Sequence, residues 1–180
     1  MIIEVGTSDF RTEAGKVEGL FIEPVKEHFE RLGDCLKENV AVSNYEGEID
    51  IYYIPSKEIE KNKLPNWVRG CNSVNEPHQT ITEMGWSKYV VKDTVKVVRI
   101  ASLIAKHGIN QIDFLKIDTE GHDTIILNDF LDTVDILPNK IQFECNVLSD
   151  TKEVIKAVNR LSDIGYKCSQ VKYDMVCVLQ

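Results

Sequence analysis

Positive charge is scarce in this 180-residue chain: 21 Lys and Arg stand against 29 Asp and Glu, a formal net charge of -8. No Lys/Arg cluster interleaved with aromatics offers a local exception, so nucleic acid is not expected as a partner. Long uncharged apolar runs are missing too, and no signal-peptide pattern opens the sequence, which predicts a soluble, cytoplasmic protein with no membrane partner. The five cysteines (Cys35, Cys71, Cys145, Cys168, Cys177) are odd in number and form no C-x-x-C pair. That argues against a disulfide framework or a cysteine zinc site and predicts reduced thiols. No internal repeat, low-complexity tract or linker divides the chain, and its length and 43% hydrophobic content suit a single domain. Oligomeric state leaves no mark in the sequence.

What is there alternates between strand-like and helix-like segments. Met1 to Val5 and Gly19 to Ile22 read as strands. Pro24 suits a first helical turn, and Val25, Phe29, Leu32 and Leu36 follow at helical spacing. Asn39 to Ser43 reads as a third strand, and Ile49 to Ile54 as a half-exposed one. From Pro55 to Gln79 the periodicity fails and Pro55, Pro65, Gly70 and Pro77 intervene, predicting a long loop at about 55–79 with little regular structure. Regularity returns with strands at Val95 to Ile100, Ile112 to Ile117 and Lys140 to Cys145. Helices are predicted at Ala101 to His107, His122 to Leu131 and Thr151 to Ile164, with Tyr166 to Tyr173 and Met175 to Leu179 closing as a hairpin. The pattern predicts an α/β three-layer domain with a mainly parallel sheet and an antiparallel C-terminal edge.

One stretch carries chemistry. In Ile112-Asp-Phe-Leu-Lys-Ile-Asp-Thr-Glu-Gly-His-Asp123 an apolar strand core runs into Asp118 and Glu120, then a glycine turn, then a helix. Open α/β sheets bind ligands at that carboxyl edge. The first strand ends in Glu4-Val-Gly-Thr-Ser8, where Gly6 permits close approach to the backbone, and the second ends in Glu23, placed to accept ribose hydroxyls. A dinucleotide site needs G-x-G-x-x-G here, but the next glycine after Gly6 is Gly15. S-adenosylmethionine, which has no pyrophosphate, fits better.

These segments resemble the FkbM-type methyltransferases. The resemblance rests on Glu4-Val-Gly-Thr-Ser8, Phe21-Ile-Glu-Pro24, Val40-Ala-Val-Ser-Asn44 with Glu46-Gly47, Asp113-Phe-Leu-Lys-Ile-Asp-Thr-Glu-Gly121 and Ile141-Gln-Phe-Glu144. It implies a Rossmann-like methyltransferase fold and an S-adenosylmethionine-dependent enzyme, associated with O-methylation. It further implies that Gly6, Thr7, Ser8 and Asp9, with Glu4 and Pro24 nearby, hold the methionine moiety, that Glu23 holds the ribose, and that residues near Ser43 flank the adenine. Asp118 would stand beside the sulfonium. The chain departs from the family's Asp-x-Gly-Ala-Asn-x-Gly: Glu4 stands for the first Asp, Thr7-Ser8 for Ala-Asn, and Phe10 for the second glycine. About a dozen residues separate the first two strands, so a helix between them must be short or absent.

Methyl transfer is an in-line displacement, in which positioning supplies most of the rate and a base removes the acceptor's proton. The catalytic candidates are Asp118, Glu120 and His122, weighed against His122 as first-turn decoration of a helix. Lys116, on the same strand face as Asp118, is expected to pair with Glu4, Glu144 or Asp118. In the long loop Trp67, Arg69, Asn72, Ser73 and His78 suit recognition of a polar acceptor, as does Glu144 near the next strand tip. A small-molecule or carbohydrate hydroxyl is the expected acceptor. Asp118, Glu120, His122, Glu144 and His78 could also supply metal ligands, but their spacing fixes no coordination geometry, and no metal is assigned. The alternatives are a catalytically silent interaction domain and a nucleotide-binding oxidoreductase.

Overall fold

A computed structural model describes residues 1–9, 12–74 and 76–180. Phe10, which stands for the family's second glycine, lies outside them. The strands are β1 (Ile2–Val5), β2 (Gly19–Ile22), β3 (Leu36–Glu38), β4 (Ala41–Val42), β5 (Gly47–Tyr53), β6 (Ser73–Val74), β7 (Val91–Val98), β8 (Phe114–Ile117), β9 (Lys140–Glu144), β10 (Tyr166–Val171) and β11 (Asp174–Leu179). The helices are α1 (Lys26–Arg31), α2 (Ser56–Lys61), α3 (Gln79–Glu83), α4 (Ile100–Lys106), α5 (Asp123–Thr133) and α6 (Thr151–Asp163).

Seven strands form the main sheet in the order β10-β11-β9-β8-β1-β2-β3. The pairs from β3 to β9 are parallel, and the β9-β11-β10 end is antiparallel. The expected α/β architecture is therefore present, edge hairpin included. From β1 the chain runs outward through β2 to β3, then returns to place β8 on the other side of β1. That reversal makes the β1/β8 carboxyl edge the switch point at which such sheets take ligands.

Period-two alternation sorts the strand residues onto two faces. Ile3, Val5, Leu20, Ile22, Leu115, Ile117, Ile141 and Phe143 join one core with Leu103 of α4, Ile126, Leu127 and Phe130 of α5, and Ala157 and Leu161 of α6. Burying each large side chain contributes about 1.5–3 kcal/mol. Helix α6 starts where the Asp150 carboxylate accepts from the Lys152 and Glu153 amides at 2.8 and 3.3 Å. The opposite face carries Glu4 and Lys116. Glu4 is fully buried, and its Oε1 accepts from Lys116 Nζ at 2.8 Å. Its Oε2 takes Thr12 Oγ1 and the Glu13 amide at 2.9 and 3.0 Å. Among the described residues no helix separates β1 from β2, and this ionic pair with the 12–13 turn occupies that ground.

Several expectations need correction. Of the strand expected at Asn39 to Ser43 only Ala41–Val42 forms, and it turns away into a second sheet, β4-β7-β5-β6, while Leu36–Glu38 just before it extends the main sheet. Leu36 thus opens a strand and does not close a helix, and α1 stops at Arg31. The 55–79 segment is not irregular. It holds α2, a 3-10 turn at Asn66–Gly70, β6 and the start of α3. Short elements of five or six residues escaped a periodicity test because they rest on their own small core of Ile54, Ile59, Val68, Cys71 and Ile81. Reduced thiols also fail in part: Cys168 and Cys177 are joined by a disulfide, while Cys35, Cys71 and Cys145 are free. The tight hairpin puts Cys168 directly opposite Cys177, which spacing alone did not reveal. Among the described residues no helix is long and apolar enough to cross a membrane.

Candidate active site

The site begins where β1 and β8 end. The Gly6 amide donates to Ile22 O and the Asp118 amide to Val5 O, both at 3.0 Å, so the two tips continue the ladder as they turn. Gly6 adopts φ +78°, and a Cβ built on it would stand 1.9 Å from the Asp118 carbonyl oxygen. No larger residue fits there. Glu23, at the tip of β2, is 1% exposed. Its Oε2 accepts from the Ser8 amide at 2.6 Å and its Oε1 from the Val25 amide at 2.7 Å. Burial pushes its carboxyl up to about 7, against the pull of those two amides.

Gly6, Ser8, Glu23, Pro24, Asp118 and Thr119 line one wall of a cavity, and Val40, Ala41, Val42 and Ile51 give it an apolar side. Gly70, Asn72 and Val74 from the 55–79 segment close it, leaving about 40 Å³ of free volume. That is far below the 300–1,000 Å³ of typical ligand pockets, so a ligand enters only if the covering segment moves. Asp118 keeps 39% of its side chain exposed. Burial pushes its carboxyl up to about 7, while Lys116 Nζ at 3.5 Å pulls the other way, and the open side chain moderates both.

A second cavity of about 490 Å³ adjoins the first, sharing Val74 and His122 with it. Ser73, Glu76, His78, Gln79, Thr82 and Glu120 give it a polar lining, and Val147 and Leu148 an apolar lip. Glu120 sits at φ +53° and accepts from His78 Nε2 at 2.8 Å. The Thr80 amide donates to His78 Nδ1 at 3.1 Å, so the His78 proton resides on Nε2. His122 Nε2 lies 3.0 Å from Ser43 Oγ, and burial lowers the pKa of this imidazole, keeping it neutral. Donor atoms of Asp118, Glu120 and Glu144 approach within 4.8 Å of one another, as do those of Cys71, His78 and Glu120. While His78 Nε2 holds a proton it donates to Glu120, and it could ligate a metal only after giving up its Thr80 bond.

Burial first, and then the nearby Glu120 and Asp118 carboxylates, push the Glu144 carboxyl well up. Asp123, which sequence reasoning passed over, fastens this edge. Its two oxygens take Thr119 Oγ1 at 2.7 Å and the Glu144 amide at 3.0 Å, bolting the β8 tip to the β9 tip.

The structure gathers Gly6, Ser8, Glu23, Pro24, Asp118 and Asn72 on the first cavity, Glu120, His78 and Ser73 on the second, and His122 on both. Other candidates stand apart from these linings. Glu4 is committed to Lys116 and the 12–13 turn. Thr7 is buried with its hydroxyl unpaired among the described residues, Ser43 stands behind His122, and Glu144 lies beside the acidic edge. Trp67 packs against Trp86 with ring centroids 5.9 Å apart and planes tilted by 40°. Asp9 receives Arg31 at 2.9 Å and Arg69 at 3.3 Å, and Arg69 also reaches Ser56, Glu60 and Asn66. These two arginines bind the covering segment to the loop after β1. Val40, Gly70, Val74 and Glu76 were missed because plain apolar residues, glycine and a surface acid carry no motif.

The family model for the Methyltransferase FkbM domain matches residues 5–168. Among solved structures, the crystal structure of methyltransferase FkbM from Methylobacillus flagellatus KT resembles the chain with a TM-score of 0.57 at 11% identity. The alignment covers 98% of this chain and 42% of that one, and at such low identity it speaks to the fold. No curated protein sequence matches.

Proposed function

This chain belongs to the FkbM methyltransferase domain family, and from that premise we propose that it is an S-adenosylmethionine-dependent O-methyltransferase acting on a small-molecule or carbohydrate hydroxyl. One observation carries the reading: Glu23 and Asp118, acids at strand tips on either side of β1, line a single cavity that opens beside a second, polar one. The donor chemistry fits the cofactor. Two carboxylates suit ribose hydroxyls and an ammonium group, and Val40, Val42 and Ile51 offer an apolar wall for a purine. Bound there, S-adenosylmethionine supplies an electrophilic methyl group at its sulfonium.

The chain's own groups do the rest. His122 stands at the junction of the two cavities as a neutral imidazole, the form a base needs. The Ser43 hydroxyl also reaches Asn44 Oδ1 at 3.4 Å. With its proton turned there, Ser43 accepts from His122 Nε2 and leaves Nδ1 basic. Glu120, held by His78, and Ser73 line the acceptor side. Re-seated over the bound cofactor, the 55–79 segment excludes water from the transfer.

Titration calorimetry with S-adenosylmethionine and S-adenosylhomocysteine, with NAD as control, tests the cofactor. Micromolar binding that is lost in Glu23→Ala supports the reading. Binding of NAD in preference would assign an oxidoreductase, and no binding by the folded protein would assign a silent domain.

A further inference from the structure

Asn72 belongs to the segment that closes the first cavity, and its side-chain amide is unusually constrained. Nδ2 donates to Arg69 O at 3.0 Å and lies 3.2 Å from His28 Nδ1, so both of its protons are spoken for. A flipped amide would set oxygen against the Arg69 carbonyl, which fixes the orientation. His28 is itself fully buried, so this anchor is internal. What remains is Oδ1, shut away from solvent and without a partner among the described residues, on a residue that lines the cavity. Such an acceptor calls for a donor that the described residues do not supply.

The surroundings say which group. Arg69 O, which receives Asn72 Nδ2, also receives Ser8 Oγ at 2.9 Å, and the Ser8 amide donates to Glu23 Oε2. Asn72 is thus wired to the Glu23 end of the cavity. A neutral amide oxygen there suits a neutral donor, whereas an ammonium is better met by a carboxylate. We propose that Asn72 binds the cofactor, its Oδ1 accepting a ribose hydroxyl beside Glu23, so that the cofactor itself fastens the covering segment. Asn72 then serves the cofactor and not the methyl acceptor. The inference rests on the S-adenosylmethionine reading above.

The test is calorimetric titration of wild type, Asn72→Leu and Asn72→Ser with S-adenosylhomocysteine and with its 2′-deoxy and 3′-deoxy analogues. Wild type should lose about tenfold in affinity for one deoxy analogue. Both variants should bind the parent compound about tenfold more weakly and no longer distinguish that analogue. Variants that bind like wild type, or that keep full discrimination, overturn the assignment while leaving the cofactor reading intact. Wild type that binds none of the three compounds overturns both. Hydrogen exchange on wild type gives a readout that needs no variant: S-adenosylhomocysteine should slow exchange across residues 69–74, and the discriminated analogue should slow it less. Equal protection by both compounds, or none by either, counts against Asn72.

Discussion

The carbonyl oxygen of Asp118 occupies the space that a side chain on Gly6 would need, 1.9 Å from an ideal Cβ. The glycine that a ligand-binding motif calls for is demanded first by the protein's own backbone. This contact brings the β1 turn onto the β8 tip and so sets the distance between the two loops that form the cavity.

Gly6→Ala should therefore destabilise the fold before any question of ligand arises. Positive φ alone costs about 1–3 kcal/mol for a residue with a side chain, and the overlap adds to it. The expected loss is about 3 kcal/mol or more, a fall in Tm of roughly 6–12 °C for a domain of this size. A thermal melt within 2 °C of wild type, as an order-of-magnitude threshold, would refute the packing account.

Much of this was legible in the sequence, and the reason differs by element. β2 is legible to the residue because Gly19 and Pro24 bracket a short apolar run, and α6 to within one residue, Thr151 to Ile164 against Thr151–Asp163, because Gly165 stops it. Glu23 and Asp118 were found because a strand tip can be counted from an apolar run. The second sheet was not, since β4 is two residues long and pairs with β7 56 positions later (Ala41 with Val97), a contact without local signature. Nor could spacing tell Glu4 from Glu23: both are buried acids on neighbouring strands, but Glu4 lies within β1 and faces Lys116, while Glu23 lies just past β2 at the cavity.

Stability should depend on pH through Glu23. Its folded pKa of about 7 lies above the ordinary 4.5, so the folded state holds a proton that the unfolded state releases between those values. Stability is then fully present below about 4.5 and lost as pH rises towards 7, by on the order of 1–3 kcal/mol. The urea midpoint of the ligand-free protein should fall between pH 5 and pH 8, and Glu23→Gln should flatten that fall. A midpoint that rises over this range in wild type would contradict the burial of Glu23.

The Cys168–Cys177 bond ties the edge strand β10 to β11 at directly opposed positions. It closes a short loop, for which chain entropy gives about 2–3 kcal/mol. Cys168→Ser with Cys177→Ser, or a strong reductant, should lower Tm by roughly 5–10 °C and leave cofactor affinity unchanged, because the hairpin lies at the far edge from Glu23. Mass spectrometry with thiol labelling checks the premise. Labelling of all five cysteines in the untreated native protein, once unfolded, would restore the expectation of reduced thiols.

The last prediction concerns entry to the cavity, whose 40 Å³ of free volume admits no cofactor while the covering segment stays down. Arg69 ties that segment together and to the loop after β1: Ser56 and Glu60 belong to the segment itself, Asp9 to the loop. Its guanidinium meets Ser56 at 2.6 Å, Glu60 at 3.1 Å and Asp9 at 3.3 Å, with only 14% of the side chain exposed. Arg31 shares Asp9 and Ser56 but is 43% exposed, so it is the weaker hold. Removing a partly buried cation from its partners costs about 1–3 kcal/mol, and here that cost falls on the closed arrangement while the main-sheet core is untouched. Arg69→Ala should therefore speed hydrogen exchange in α2 and across residues 66–74 by roughly 10–100-fold, with exchange in β1 and β8 little changed. If exchange stayed at the wild-type rate, the segment would be held by its own apolar core of Ile54, Ile59 and Val68. If β1 and β8 loosened equally, the segment would be part of the global folding unit and could not serve as a cover that opens for the cofactor.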